Sequence, residues 1–371
     1  MLNLRPSPIA GTWYESDPEK LAARVDEYLN AVQLPDIQGN IVAVIAPHAG
    51  HIYSGAVAAY AFAACRALSP DLVAILSPYH NSSPYSLITT KHQAYATPLG
   101  NVEVDRAALL DLQLNLEHPI TAIANDREHS LEIELPFLQR VLKNEFKLLP
   151  IMMHSQEPET AKRLGRALAQ TLGNKRALIV ASTDLSHFYE QQTAKILDSE
   201  MLKRFESFDP ESIFEAEHTG KGFACGHAAV ASTLWAARAL GADTVQILKY
   251  ATSGDVTGDY SSVVGYGAGV ITQSMLKLSL PFPPPPAGPP PPFSLGLGGV
   301  NKKTQEITRV FTYSLLITYF SQPITYYYST YSLHLEKPAL ILHQAVRQRL
   351  HISFHSPKYP VNHPSQFPDQ Y

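Results

Sequence analysis

Short apolar runs alternate with amphipathic segments along the chain from about residue 41 onward. Runs rich in β-branched residues favour buried strands, and a 3.6-residue period favours helices that cover a sheet. The alternation predicts an α/β fold with a mostly parallel central sheet flanked by helices. The predicted strands are 41–46, 72–76, 148–153, 177–182, 244–250 and 262–271, and the predicted helices are 55–68, 130–143, 158–172, 190–206 and 227–240.

This pattern stops near residue 275, so we predict one α/β domain over residues 1–275. Residues 281–292 hold nine prolines, which favour an extended polyproline II spacer, and we place a linker at 276–300. Residues 301–371 lack glycine, methionine, tryptophan and cysteine and show no clean period. We expect them to form a disordered or poorly specified tail, with an interaction tail as the alternative.

Composition narrows the class of protein. The 371 residues carry 29 Lys and Arg against 33 Asp and Glu, a net charge of −4, which argues against nucleic acid as a main partner. The N-terminus lacks the pattern of a signal peptide, and no run reaches the roughly 18 apolar residues of a membrane span. We therefore expect a cytoplasmic protein without a membrane partner, whose two cysteines are free thiols.

Histidines follow three of the predicted strands. His48 follows the run 41–46, His80 follows 72–76, and His187 follows 177–182. Ligand sites in parallel sheets gather at the carboxyl ends of the strands, so we expect the three histidines to share one cleft. His51 and Tyr53, in the first of these turns, are the candidate substrate-binding residues, together with Glu132.

Cys225 comes just before the predicted helix 227–240. A cysteine at a helix N-terminus is biased toward the thiolate, which binds metal or attacks a carbonyl carbon. The alternative is a buried, inert cysteine, and that interpretation suits Cys65 within an apolar helix face. Two imidazoles and one thiolate would form a three-ligand metal site with open positions.

Two further pairs contain the candidate catalytic residues His129, Asp184 and His187. His129 and Glu132 are three residues apart in a predicted helix, so they would share a face and bind a ligand or orient a metal-binding imidazole. Part of this segment also has a purely structural explanation, because Ser130 would cap the helix. Asp184 could fix the tautomer of His187, which would then be free to shuttle protons.

Taken together, the motifs resemble the Memo family, called AmmeMemoRadiSam system protein B in prokaryotes. The resemblance runs from about residue 5 to residue 272 and rests on five motifs in the order of the family: Ala10-Gly-Thr-Trp-Tyr14, Ala46-Pro-His-Ala-Gly50, Glu128-His-Ser-Leu-Glu132, Ser182-Thr-Asp-Leu-Ser-His187 and Ala224-Cys-Gly226.

The resemblance implies a fold similar to that of class III extradiol dioxygenases and a metal site of two histidines and one cysteine. The matching residues are His48, His80 and Cys225, surrounded by His129, Asp184 and His187. His187 resembles the base histidine of the dioxygenases. The radical-SAM and A components of the system are the implied partners, although residues 301–371 do not show the pattern of the A component.

Cys225 stands where the dioxygenases have a carboxylate ligand to Fe(II). A thiolate favours softer ions such as copper, so ring cleavage does not follow from the fold. The leading hypothesis is a metal-binding protein that holds one iron or copper ion and has a redox or oxygen-linked role. The alternatives are an iron dioxygenase that acts on a catechol-like substrate, and a non-enzymatic module that binds a peptide or phospho-ligand.

Removal of residues 281–371 is expected to leave the stability of the first domain unchanged, because a segment without apolar periodicity offers little surface for a core. Thermal midpoints of the full chain and of residues 1–280 check this. A fall of more than about 4–8 °C, worth on the order of 1 kcal/mol in a small domain, would show that the tail packs on the domain.

Overall fold

The computed structural model describes residues 2–116 and 118–274. The predicted linker at 276–300 and the predicted tail at 301–371 lie outside these residues. Within them, the chain forms the mixed α/β fold that the sequence predicts, a large sheet with helices packed on it. No helix of the described residues is long and apolar enough to cross a membrane.

The strands of the described residues include all six predicted ones and several short additional ones. They are β1 (Leu4–Arg5), β2 (Asn40–Ala46), β3 (Leu72–Pro78), β4 (Leu87–Thr90), β5 (Ala94–Thr97), β6 (Gly100–Glu103), β7 (Ile120–Ile123), β8 (Lys147–Met153), β9 (Ala177–Ser182), β10 (His187–Tyr189), β11 (Thr244–Thr252) and β12 (Val263–Gln273).

Three helices match their predicted bounds to within one residue at each end, those at Pro158–Leu172, Gln191–Glu206 and His227–Ala239. The full set of α-helices is α1 (Pro18–Ala31), α2 (His51–Ala63), α3 (Arg106–Asn115), α4 (Leu135–Val141), α5 (Pro158–Leu172), α6 (Gln191–Glu206), α7 (Pro210–His218), α8 (His227–Ala239) and α9 (Gly254–Thr257). Short 3₁₀ turns lie at Ala64–Ala67 and Glu132–Glu134.

The centre of the large sheet is parallel and its two sides contain antiparallel pairs. The strand order is β10-β12-β2-β9-β3-β8-β4-β7, and β11 also pairs with β12. Strands β2, β9, β3 and β8 run parallel. All seven residues of β3 are buried, as expected for a strand covered by helices on both faces. A separate sheet joins β1, β5 and β6.

Two helix starts differ from the sequence prediction, and both differences affect the candidate site. Helix α2 begins at His51 rather than at residue 55, directly after Gly50. The helix predicted for 130–143 is reduced to a 3₁₀ turn and the seven residues of α4. Pro136 lacks an N–H and fits only the first turn of a helix, which explains the late start of α4.

Helices α5 and α8 pack closely at Gly165. A Cβ atom at Gly165 would lie 2.6 Å from the carbonyl oxygen of Ser232 and 2.7 Å from Cβ of Trp235. The absence of a side chain therefore lets the two helices touch. This contact supports the position of α8, whose first turn follows Cys225.

Gly165→Ala is expected to destabilise the fold by about 1–3 kcal/mol, because the methyl group must push the helices apart. In an exposed helix interior the same change stabilises by roughly 1 kcal/mol. Gly173→Ala is the matched control, since Gly173 has a helical φ of −53° and only the Ala169 carbonyl near its missing Cβ. Urea denaturation of both variants measures the difference, and equal midpoints would contradict the packing argument.

Candidate metal centre

The carboxyl ends of three neighbouring parallel strands meet at one edge of the sheet. His48 lies two residues after β2 and His80 two residues after β3, while Asp184 follows β9 between them. A cleft of about 620 Å³ opens there. The predicted site residues that line it are His48, Tyr53, His80, His129, Asp184 and His187.

Aromatic and aliphatic side chains form one part of the cleft walls, and Ser, Thr and Asp side chains from residues 253–262 form another. Trp13, Tyr53, Phe188 and Tyr266 line it together with Val264. Phe188 is 76% exposed and has a φ of 64°, a left-handed conformation that costs a bulky residue free energy. The arrangement suits a small ligand with an apolar body that reaches the histidines.

Three imidazoles form the tightest group of potential metal donors in the described residues. One ring nitrogen each from His48, His80 and His129 lies within 4.8 Å of the others. The rings of His80 and His129 stack with centroids 4.8 Å apart, and the His48 ring meets both edge-on. Burial and the neighbouring imidazoles lower the pKa of His48, and burial lowers that of His129 to about 4. Neutral imidazole is the form that binds a metal.

Glu128 orients the ring of His80 and lies beside the ring of His129. Its buried carboxylate accepts from His80 Nδ1 at 2.9 Å and lies 3.3 Å from His129 Nδ1. It also accepts from the backbone N–H groups of His80, His129 and Ser130. Burial alone would raise the pKa of Glu128, but the hydrogen bonds from His80 and the charge of both imidazoles lower it to about 2.

A carboxylate that binds the Nδ1 side of a histidine is a common support of metal ligands. In the neutral form of His80, donation of Nδ1–H to Glu128 leaves Nε2 without a hydrogen. The only signal in the sequence was the acid directly before His129 in the Glu128-His129 pair, and nothing in the sequence linked it to His80, 48 residues earlier.

Cys225 contacts one member of the histidine group. Its Sγ lies 3.2 Å from His48 Nε2 and accepts from the Asp184 backbone N–H at 3.3 Å. The expected bias toward the thiolate is wrong for the metal-free chain, because burial and the Asp184 carboxyl raise the pKa of the thiol. Cys65 is a buried free thiol that burial holds at a pKa of about 12.

Asp184 does not orient His187, which corrects the sequence prediction. The Nδ1–H of His187 donates to the Leu185 carbonyl oxygen at 2.8 Å, while the Asp184 carboxylate accepts from the His48 backbone N–H at 2.7 Å. Asp184 thus fixes the turn that carries His48. Burial raises its pKa to about 7.

His51 is not among the residues that line the cleft. It is 4% exposed, packs against Phe137 and Tyr14, and has Nε2 3.1 Å from the Ile133 carbonyl oxygen. The early start of α2 explains this, because it makes His51 the first helical residue and directs its side chain into the core. Burial lowers its pKa to about 4.

Glu132 is also buried and is not among the residues that line the cleft. Its carboxylate accepts hydrogen bonds from Arg5, Ser7 and Tyr14. It does not share a helix face with His129, because His129 lies before the 3₁₀ turn that contains Glu132. The partners of Glu132 are more than 100 residues distant in sequence, so no local sequence pattern predicts these contacts.

Arg5 joins the N-terminal strand to the loop that carries Glu128 and His129. Its guanidinium is 1% exposed, binds the Asp126 carboxylate at 2.7 Å and donates to the Glu128 carbonyl oxygen at 2.7 Å. It also pairs with Glu132 and lies over the Tyr95 ring. The buried guanidinium therefore holds the backbone on which the candidate metal centre is built.

The donor atoms suit a metal ion in number and in chemistry. Three imidazole nitrogens lie within 4.8 Å of one another, and the Cys225 sulfur contacts one of these imidazoles, that of His48. Nitrogen and sulfur donors suit zinc, copper and iron rather than magnesium or calcium. The residues present therefore fit the metal that the family resemblance implies.

Arg5→Met is expected to cost about 3–5 kcal/mol of unfolding free energy, because it leaves two carboxylates buried without their partner. Arg140→Met is the matched control, since Arg140 pairs with Asp26 at the surface and each side chain is more than a third exposed. Such surface pairs contribute about 0–1 kcal/mol. Urea denaturation at pH 7 compares them, and a small equal loss in both would refute the proposed role of Arg5.

The comparison with known proteins extends over the same part of the chain. The family described as Memo-like protein matches residues 5–270. A MEMO1 family protein of Nitrosopumilus maritimus (strain SCM1) is 37% identical over 270 residues, which cover 71% of this chain and 98% of the relative. Relatives of the same description from Methanopyrus kandleri and Methanosarcina mazei are 35% and 33% identical, covering 71% and 73% of this chain and 97% and 100% of their own lengths. The chain therefore belongs to the Memo family.

Proposed function

We propose that this chain binds one iron or copper ion through His48, His80 and Cys225 and uses it in a redox or oxygen-linked reaction on a small molecule in the cleft. The observation that supports the metal site best is the convergence of donors from separate strand ends and loops. His48 and His80 approach each other across the sheet edge, and Cys225 Sγ is in contact with His48 Nε2.

The choice of Cys225 over His129 as the third ligand rests on chemistry. A thiolate binds the later first-row metals more strongly than a third imidazole does, and a bound metal deprotonates the thiol whatever its pKa in the metal-free chain. His129 is held by other contacts, since its ring stacks on His80 and lies 4.1 Å from the Trp13 ring. We place it beside the metal as a wall of the cleft.

His187 is proposed as the acid or base of the site. It donates Nδ1–H to the Leu185 carbonyl, so in its neutral form Nε2 is free to accept a proton. Burial lowers its pKa, which keeps the imidazole neutral at pH 7. The apolar walls would exclude water from a bound substrate and thereby strengthen the polar contacts to it.

A bound iron or copper ion would supply the one-electron or oxygen chemistry that side chains do not provide. The radical-SAM and A components of the AmmeMemoRadiSam system remain proposed partners on the basis of family membership alone.

The metal content of the full chain, purified without oxygen and measured by inductively coupled plasma mass spectrometry, tests the proposal. We expect close to one equivalent of iron or copper. His48→Ala, His80→Ala and Cys225→Ser should each lose most of it, because two remaining ligands make an inadequate site. His187→Ala and the surface control His218→Ala should keep it.

His129→Ala decides between the two possible sets of donors. Retention of metal in this variant, with loss in Cys225→Ser, supports the proposed ligands. The reverse result would replace Cys225 by His129. Zinc as the bound metal under these conditions would contradict the redox role, because zinc has no redox chemistry.

A further inference from the structure

Ser182, the last residue of β9, has a buried hydroxyl with three close polar neighbours. Its Oγ lies 2.7 Å from the Ser130 carbonyl oxygen and 2.7 Å from Glu134 Oε1. The third neighbour is His48 Nδ1, at 2.9 Å. A hydroxyl carries one hydrogen and two lone pairs, so Ser182 can donate to only one of the three and must accept from the other two.

The hydrogen of Ser182 must go to Ser130, because a carbonyl oxygen can only accept. If it pointed to Glu134, two acceptor oxygens would lie 2.7 Å apart in the interior with no hydrogen between them. Glu134 and His48 must then both donate to Ser182. A carboxyl group donates only when it is protonated, and His48 donates here only when its hydrogen is on Nδ1.

The surroundings of Glu134 agree with this arrangement. The side chain is 1% exposed, and its carboxyl group takes part in no ion pair among the described residues. Burial and the neighbouring Asp184 carboxyl raise its pKa well above the ordinary value. An unpaired buried carboxylate is costly, and protonation removes that cost.

We propose that Glu134 is a protonated carboxylic acid and that Glu134 and His48 both donate to Ser182, an arrangement that keeps the single N–H of His48 on Nδ1 and leaves His48 Nε2 unprotonated for a metal. Glu134 is a positioning residue, because one hydroxyl separates it from the imidazole. The proton arrangement follows from the contacts of Ser182 alone, whereas its value for metal binding rests on the proposed function.

The contact on the other side of His48 fits the same arrangement. Cys225 Sγ lies 3.2 Å from His48 Nε2. With no hydrogen on that nitrogen, the thiol of the metal-free chain can donate to it, since the Asp184 carbonyl oxygen, the other acceptor beside the thiol, is farther away at 3.7 Å. The donors therefore converge on Ser182, from Glu134 on one side and from Cys225 through His48 on the other, and Ser182 donates its own hydrogen to the Ser130 carbonyl oxygen.

The tautomer of His48 is measured on the metal-free full chain labelled with ¹⁵N-histidine, in long-range ¹H–¹⁵N correlation spectra at pH 7. We expect one tautomer with the hydrogen on Nδ1, identified by its loss in His48→Gln. Ser182→Ala removes the acceptor, so the Nε2–H tautomer should appear. Ser232→Ala is the matched control, because the Ser232 hydroxyl is buried and donates to the Ala228 carbonyl within α8. A wild-type His48 with its hydrogen on Nε2 would overturn the proposal.

The protonation of Glu134 is measured by infrared spectroscopy at pH 7. The wild type should show the carbonyl stretch of a buried, protonated carboxyl group, and Glu134→Gln should lack it. The glutamine amide can donate the same hydrogen bond to Ser182, so this variant should keep the His48 tautomer. If the two spectra show no such difference, Glu134 is ionised and the proposal is wrong.

Titration with Zn²⁺ against a competing chelator measures how the contacts of Ser182 affect the Kd for metal. Ser182→Ala is expected to raise the Kd by about 10–100-fold, the usual effect of losing a partner of a metal ligand. Glu134→Gln should stay within about threefold of wild type, because donation by the amide replaces donation by the acid. A large loss in Glu134→Gln would show that the site needs a negative charge there, which contradicts the proposal.

Different results would contradict the proton arrangement at Ser182 and the proposed metal binding. If the wild type binds none of zinc, iron and copper, the metal function is wrong, while the tautomer and infrared measurements still decide the proton arrangement. If Ser182→Ala does not fold, as judged by circular dichroism, the wild-type tautomer and the Glu134→Gln spectra remain decisive.

Discussion

The parallel pairing of β2, β9 and β3 is the constraint on which the rest of the site depends. In register, Ala46 lies beside Ser182 at the end of the β2 and β9 pair, and Leu76 lies beside Ala181 at the end of the β3 and β9 pair. Residues that leave these strands therefore enter one small region although they are far apart in sequence. The hydrogen bonds of the sheet bring these residues close together, and the loops then place their side chains.

The same constraint explains what the sequence could predict. Buried parallel strands are short continuous apolar runs, so β2, β3, β8 and β9 are visible in the sequence, and the histidines that follow them could be expected at one edge. The direction of an individual side chain could not be predicted in the same way. His51 is three residues from His48, yet its direction depends on where α2 begins, which is set by the backbone at Gly50 and by the His51 N–H donating to the Trp13 carbonyl.

Partnerships between distant residues could not be predicted from local pattern. Glu132 looked like a helix-face neighbour of His129, but Arg5 lies 127 residues before it and determines where it packs. A buried arginine requires carboxylates around it, and only the folded chain shows which acids supply them. Likewise, Asp184 and Leu185 both have oxygen atoms and are close to His187 in sequence. The backbone of the turn determines that the Leu185 carbonyl oxygen is the acceptor.

The two buried glutamates beside the site act in opposite protonation states to the same effect. Glu128 receives several N–H donors, so it is stable as an anion and takes the hydrogen on His80 Nδ1. Glu134 has one hydroxyl as its partner, so the neutral acid is stable there and donates to Ser182, which also accepts from His48 Nδ1. Both acids are buried, so burial does not explain their different protonation states. The number of hydrogen-bond donors available to each acid does. In each case the hydrogen of the imidazole is kept on Nδ1, and Nε2 is left as the nitrogen with a free lone pair, which is what a metal needs from both histidines.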